Sequence, residues 1–394
     1  MKALRKRVPR ASLAHWKPAP NRRDPIELLH ETEAGRIPAL LVLRHERMRA
    51  DVFAFYRGGA SLMAADLAEH PVTGLHVQLG GDAHLMNYGG YATPERRLIF
   101  DVNDFDETLP GPWEWDVARL CASAPLLAKV RNFGKRAGVD AAFIAARAYR
   151  RHMRSLALLS PLEIWYSRVD VRGMLADELT APRDATHVKL TPEHEELAKS
   201  TIDLYRQSLQ PYIRTVLDRY HPVEFFEHPV GVGSVGLLTI VAHLEAREGE
   251  TLYLQIKEAV ASALEPYLGK SRYTNHGERV IAGQHLMQAA SDLFVGWTNA
   301  DGRDFYVRQL RDEKASLDLE QIDAPQLIDF AQRCGAVLAR AHARTGDPAA
   351  IAEYLGASDA FEDGMARFAR IYAKQVERDY EEFCADSRTR PEPQ

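Results

Sequence analysis

Cysteine is scarce. Cys121, Cys334 and Cys384 are the only three in 394 residues, an odd number spread far apart, which fits neither a disulfide framework nor a zinc spacing such as CxxC. The thiols are therefore read as structural and the protein as cytoplasmic. Long apolar runs are missing too, since "IPALLVL" and "LLTIV" fall far short of the ~20 residues a membrane helix requires. No single sign of charge dominates: 50 Lys and Arg face 55 Asp and Glu, a formal net charge of −5. That leaves no broad positive field for nucleic acid. Internal repeats are absent, as are low-complexity tracts beyond a basic start and a polar end. What remains is the composition of a soluble globular protein with neither a membrane nor a nucleic acid as partner.

The first 23 residues carry Lys2, Arg5, Lys6, Arg7, Arg10, Lys17, Arg22 and Arg23, with no acid before Asp24. They lack the apolar stretch of a secretory signal, so residues 1–24 are expected to form a solvated or loosely docked basic arm. A single hydrophobic core stops growing at roughly 250–300 residues, and this chain is longer, so two lobes are expected with a site in the cleft between them.

Periodicity supports that division. Residues 25–69 place apolar side chains at helical intervals. "LHVQLGG" and "RRLIFDVND" are short apolar runs bounded by turn residues and read as strands. Helical spacing returns after "PGPWEWDVARL" and continues to about Tyr220. Residues 228–314 then read as a small antiparallel sheet. "GLLTIVAHLEAREGETLYLQIKEA" supplies one hairpin and "DLFVGWTNADGRDFYVRQL" a second, with a helix between them. Residues 315–394 are helical again and complete the helical lobe of residues 25–227. The class is α+β.

Chemistry-bearing residues concentrate in "GGDAHLMNYGGY" (80–91) and "FDVNDFDE" (100–107). Asp82, His84 and Asn87 follow one strand, and Asp104 and Asp106 follow the next. Asp, Asn and Gly also gather in turns for backbone reasons. Between two apolar strands, however, the set offers hard oxygen ligands of the kind Mg²⁺ prefers, from Asn87 with Asp104 or either of its neighbours Asp101 and Asp106. Asp82 stands where a carboxylate could orient a hydroxyl, with His84 beside it as a second catalytic candidate. One carboxylate on the hydroxyl and an Asn–Asp pair on the metal is the division of labour used in phosphoryl transfer.

"GVGSVG" supplies Gly231, Gly233, Ser234 and Gly236. As a G-x-G-x-x-G it is weak alone, and a dinucleotide site would require a helix after it. The strand-like "LLTIVAHLE" follows instead, which suits a glycine-rich hairpin over nucleotide phosphates, with a lysine on a nearby strand. Lys257 in "YLQIKEA" fills that role. It is a charge in an otherwise apolar strand and calls for an anionic partner, for which Glu278 and Glu258 are candidates. Arg57 in "FYRG" could approach a phosphate, but a structural salt bridge is the expected role.

"GDAHLMN" followed by "DFDETLPGPWEWDVARL" resembles the catalytic segment of the aminoglycoside-phosphotransferase and small-molecule-kinase branch of the protein-kinase-like fold. The resemblance implies Asp82 as catalytic base, Asn87 and Asp104 as Mg²⁺ ligands, and Asp116 as a brace for the catalytic loop. Gly80 stands where that family has His. The glycine loop and lysine follow the catalytic segment here rather than precede it, and "CGAVLARAHART" looks like the helix that precedes the catalytic loop in such kinases. The pattern is therefore similar to a circularly permuted kinase-like fold with two lobes. From "FAFYRGGASLMAADLA" to "LARAHARTGD" the motifs also resemble the bacterial family named domain of unknown function 2252. Together these imply a phosphotransferase that uses ATP and Mg²⁺ on a small-molecule acceptor. Two alternatives stay open. One is a nucleotidyl transferase or nucleotide-binding regulator on the same site. The other is a metal-dependent phosphoesterase using Asp82, His84, Asp101, Asp104 and Asp106.

Overall fold

In the computed structural model, which describes residues 2–169, 179–180, 188–228, 232–233, 235–310, 316–317 and 321–389, the basic arm is docked rather than solvated. It starts with helix α1 (Lys2–Arg7) and buries Leu13, Ala14 and Trp16. Its arginines find backbone oxygens: Arg7 Nη2 donates to Thr73 O at 2.9 Å and Arg10 Nη1 to Leu355 O at 2.5 Å. Arg22 forks between Asp66 and Asp379 at 2.7 and 2.6 Å. A bidentate guanidinium in a half-buried setting is a firm tether, which corrects the expectation of a loose arm.

Four helices follow: α2 (Pro25–Glu33), α3 (Pro38–Arg49), α4 (Val52–Gly58) and α5 (Ala60–Ala68). Asp24 caps α2 by accepting the Ile26 and Glu27 amides, with Pro25 at the first position, and Asp51 caps α4 through the Ala54 amide. The two apolar runs read as strands become β1 (His76–Leu79) and β3 (Leu98–Val102). The chain between and after them adds β2 (Tyr88–Ala92) and β4 (Leu109–Pro112). The pairs are antiparallel, β1 with β4 and β2 with β3. Beyond them lie α6 (Trp113–Val130), α7 (Gly134–Leu156) and α8 (Pro161–Tyr166).

The second half opens with the short strands β5 (Leu179–Thr180) and β6 (Val188–Lys189), then α9 (Pro192–Ser208) and α10 (Pro211–Leu217). Strands β7 (His221–Glu227), β8 (Thr239–Glu245) and β9 (Thr251–Ala259) follow, then helices α11 (Glu265–Leu268) and α12 (His276–Met287). The hairpin β10 (Gly296–Ala300) and β11 (Arg303–Leu310) and the short β12 (Ser316–Leu317) lead into α13 (Ala324–Ala343), α14 (Pro348–Leu355) and α15 (Ala360–Ala385). Six strands form one antiparallel sheet in the order β10-β11-β9-β8-β7-β6. Both expected hairpins and the helix between them are present, in an α+β arrangement.

Two hydrophobic cores carry the chain. The larger joins α4–α7 to α13–α15, where the Trp113 and Tyr149 rings stack with centroids 5.5 Å apart. The smaller packs sheet residues such as Ile240, Leu254 and Val307 against Ile202, Tyr205 and Leu217 of α9 and α10. Residues 188–227, expected in the helical lobe, thus belong with the sheet, to which they add β6 and β7. Among the described residues no helix is long and apolar enough to cross a membrane.

Candidate functional site

The two strand pairs bring the acidic segments together. In the β2–β3 register Tyr88 faces Val102, and one step beyond the pair Asn103 donates its amide to Asn87 O at 2.9 Å. This step sets Asn87 beside Asp104. In the β1–β4 register Leu79 faces Leu109, and Thr108 Oγ1 donates to Leu79 O at 2.6 Å, so residues 80–87 lie against residues 103–108. Gly81 makes that approach possible. Its φ is +82°, and a Cβ there would lie 2.4 Å from Glu107 O.

Asp116, at the start of α6, holds the loop. Its carboxylate accepts the Gly80 and Gly81 amides at 2.7 and 3.0 Å and a contact from His342 Nε2 at 3.2 Å. His342 comes from α13, and its Nδ1 meets the Tyr149 hydroxyl at 2.9 Å.

One helical turn after Asp116, Arg119 reaches Asp82. Its Nε donates to Asp82 Oδ1 at 2.8 Å and Nη2 lies 2.6 Å from the same oxygen. The guanidinium lies 3.9 Å from the centroid of the Tyr56 ring. This partner was missed in the sequence, although the i, i+3 spacing from Asp116 puts both on one helix face. Asp82 Oδ2 is left toward the cleft, 3.5 Å from His84 Nε2. His84 is buried, which lowers its pKa to about 3 against the opposing field of Asp82. It is a neutral neighbour of Asp82 at physiological pH.

The sheet lobe grips the second acidic segment. Lys257 on β9 faces Tyr306 on β11 in register, and both bind Asp106: the Lys257 ammonium at Oδ2 and the Tyr306 hydroxyl at Oδ1, the latter at 2.8 Å. Arg308 donates to Asn103 O at 3.0 Å, and Arg279 to Asp106 O and Thr108 O at 2.8 and 2.9 Å. Burial alone would lower the Lys257 pKa, but the charges of Asp106 and of its neighbours Tyr306 and Asp104 outweigh it and hold the pKa above the usual lysine value. Asp106 is pulled the other way: burial would raise it, and Lys257 keeps it low. Asp104 is raised by burial and then by repulsion from Asp106.

Two expected partnerships are corrected here. Glu278 does not pair with Lys257, which is taken by Asp106; Glu278 sits in the first turn of α12, where Asn275 caps it, and lines a different cavity. Arg57 forms no salt bridge among the described residues; its buried Nε has no hydrogen-bond partner. Asp101 also drops out of the cluster as a free ligand, because Arg340 binds it at 2.5 Å and the Ala289 amide at 2.8 Å.

The glycine loop lies between β7 and β8. Gly231 and Ser234 fall outside the described residues. The rest is clasped by residues 36–44. Ile37 N donates to Gly236 O at 2.8 Å, Arg36 Nη1 to Val235 O at 2.6 Å, and the buried Arg44 to Val232 O, Gly233 O and Gly58 O at 2.7, 2.8 and 2.9 Å. Gly236, at φ +101°, has the Arg36 stem 3.0 Å from where a Cβ would stand.

Together these parts form a cavity of about 110 Å³ lined by Asp82, His84, Asn87, Asp104, Asp106, Glu107 and Glu258 and by Arg36, Arg57 and Gly233. Among the described residues no three His, Cys, Asp or Glu side chains are arranged as a metal cluster. Asn87, Asp104 and Asp106 all line this cavity, and their side chains carry the hard oxygens that a divalent ion of the Mg²⁺ type takes.

The family model described as "Uncharacterized protein conserved in bacteria (DUF2252)" matches residues 36–189 and 177–386. No curated protein and no solved structure gives a match.

Proposed function

The chain belongs to the bacterial family DUF2252, whose description names no activity, and from the site itself we propose a kinase-like phosphotransferase with its lobes in circularly permuted order. The observation that carries this reading is the ion pair between Lys257 and Asp106, which ties the strand after the glycine hairpin to the acidic segment beside Asp82 and Asn87. In kinases a glycine-rich loop covers the phosphates, the lysine lies on the third strand of the small lobe, and a metal-binding Asp and Asn belong to the large lobe. Here the hairpin β7–β8, then Lys257 on β9, then helix α12 follow that order. The His342 imidazole beside Asp116 and Gly80 stands in for the histidine lacking at position 80.

In this reading Asn87, Asp104 and Asp106 would hold Mg²⁺, which when bound would neutralise charge on the phosphates of ATP. Asp82 has Oδ1 committed to Arg119, and Oδ2 orients the hydroxyl of a small-molecule acceptor. Lys257 holds Asp106 in place, and the apolar side chains of Leu237 and Val260 keep water out. The present cavity is smaller than the ~300–1,000 Å³ of ordinary ligand pockets, so a nucleotide reaches it when the glycine loop lifts from Arg36 and Arg44. A two-metal phosphoesterase is less well supported, because Asp101 is bound to Arg340 and the glycine loop would have no role.

The test is calorimetric titration with a non-hydrolysable ATP analogue and Mg²⁺ on the wild type, Asp104→Ala and Lys257→Ala. Binding that weakens in both variants supports one nucleotide site. Metal binding without nucleotide would overturn it.

A further inference from the structure

Most cations around the cleft have partners. Lys257 is bound to the Asp106 carboxylate and Arg119 to that of Asp82. Two guanidiniums differ. Arg57, from the last turn of α4, lines the cavity and, among the described residues, has neither a carboxylate partner nor a hydrogen bond to its buried Nε. Arg36 lines the same cavity from the α2–α3 connection; it donates to Thr32 O and Val235 O and pairs with no carboxylate among the described residues.

Both also abut the glycine motif. A Cβ at Gly233 would lie 3.5 Å from Arg57 O, and one at Gly236 would lie 3.0 Å from the Arg36 stem. The motif therefore packs against the backbone of Arg57 at one glycine and the aliphatic stem of Arg36 at another.

A half-buried cation that pairs with no carboxylate is costly, and burial lowers the pKa of both arginines although nearby acids raise it. Two arginines lining one small cavity are suited to a tetrahedral oxyanion. The cavity, at about 110 Å³, has the scale of such a group rather than of a whole nucleotide. We propose that Arg36 and Arg57 form a phosphate-binding site at the mouth of the cleft. It rests on the phosphotransferase reading only for the source of the phosphate, which is either the terminal group of the nucleotide or an anionic substituent of the acceptor.

The experiment titrates inorganic phosphate, ADP with Mg²⁺ and a non-hydrolysable ATP analogue with Mg²⁺ into the full chain and into Arg57→Gln and Arg57→Lys. Melting temperatures are recorded with and without phosphate. Among the described residues Arg57 makes no hydrogen bond that the substitution would break, and Arg57→Gln removes an unpartnered charge, so the variant without ligand melts no lower than the wild type. The expected result is phosphate binding by the wild type that weakens roughly tenfold or more in Arg57→Gln, with Arg57→Lys between them. Phosphate raises the melting temperature of the wild type and not of Arg57→Gln.

Loss of analogue affinity with ADP spared assigns the site to the nucleotide's terminal phosphate. Loss of phosphate binding with both nucleotides spared assigns it to the acceptor. Equal phosphate affinity in wild type and Arg57→Gln, or none in the wild type, overturns the site. That result leaves the phosphotransferase reading standing if the analogue still binds through Asp104. Phosphate bound through Arg57 with no nucleotide bound keeps the site and overturns that reading.

Discussion

Lys257, buried, and Asp106, half-buried, stand 151 positions apart in the sequence and form an ion pair that joins the sheet lobe to the acidic loop. Removing one member of such a pair strands the other charge in a poorly solvated place, at about 3–5 kcal/mol. Lys257→Met and Asp106→Leu should each destabilise the protein by about that much, and the double variant by less than either alone. Urea denaturation of the four proteins measures the coupling.

Gly80 and Gly81 are adjacent and should respond differently to the same change. A Cβ at Gly80 meets Asp116 Oδ2 and Met287 Cε at 3.7 Å, an ordinary contact, whereas at Gly81 it would meet backbone at 2.4 Å with φ at +82°. Gly80→Ala should be tolerated within about 1 kcal/mol and Gly81→Ala should cost about 2 kcal/mol or more. Thermal melts of the two variants decide this, and equal losses would contradict it.

Asp116 anchors two loop amides. Asp116→Ala leaves the Gly80 and Gly81 amides and His342 without their acceptor, each a loss of about 1–3 kcal/mol for a buried group. Lower stability is expected together with weaker nucleotide binding, because the loop carrying Asp82 and Asn87 loses its support. Asp116→Asn keeps one acceptor oxygen and should fall between the two in both calorimetry and urea denaturation.

Glu114 supplies a pH signature. Burial raises its pKa to about 7 from an ordinary value near 4.5; Oε1 accepts the Thr73 amide at 2.7 Å and Oε2 has no partner. The folded protein thus holds this proton more tightly than the unfolded chain. Its contribution to stability is fully present below about pH 4.5 and is lost as pH rises through about 7. Glu114→Gln keeps the acceptor for Thr73 and removes the titration. The variant should gain on the order of 3 kcal/mol over the wild type above pH 8, with little difference near pH 4. Urea denaturation of both proteins across that range checks it.

Features written in a few neighbouring residues were legible in the sequence. The strands around Asp82 and Asp104, the hairpins and the helix bearing Glu278 follow from local apolar patterns and turn residues. Partnerships between distant residues were not. Lys257 had two glutamates near it in sequence, and its actual partner, Asp106, becomes its neighbour only through folding. The arginine clasp on the glycine loop and the docked arm use side chains bound to backbone oxygens, which leave no periodic trace. Strand β7 begins at "HPVEFFE", where a proline and exposed residues blur the alternation, so the sheet starts earlier in the chain than its pattern suggests.

The tethers between the two ends of the chain bear on its synthesis. Arg10, Arg22 and Arg49 bind Leu355, Asp379 and Thr389, at sequence separations of 345, 357 and 340. A ribosome adding about 5–20 residues per second would expose the amino-terminal segment for about 20–70 s before its acceptors exist. Over that interval Leu13 and Trp16 have no finished core to enter, so the large lobe closes only when helix α15 has been made.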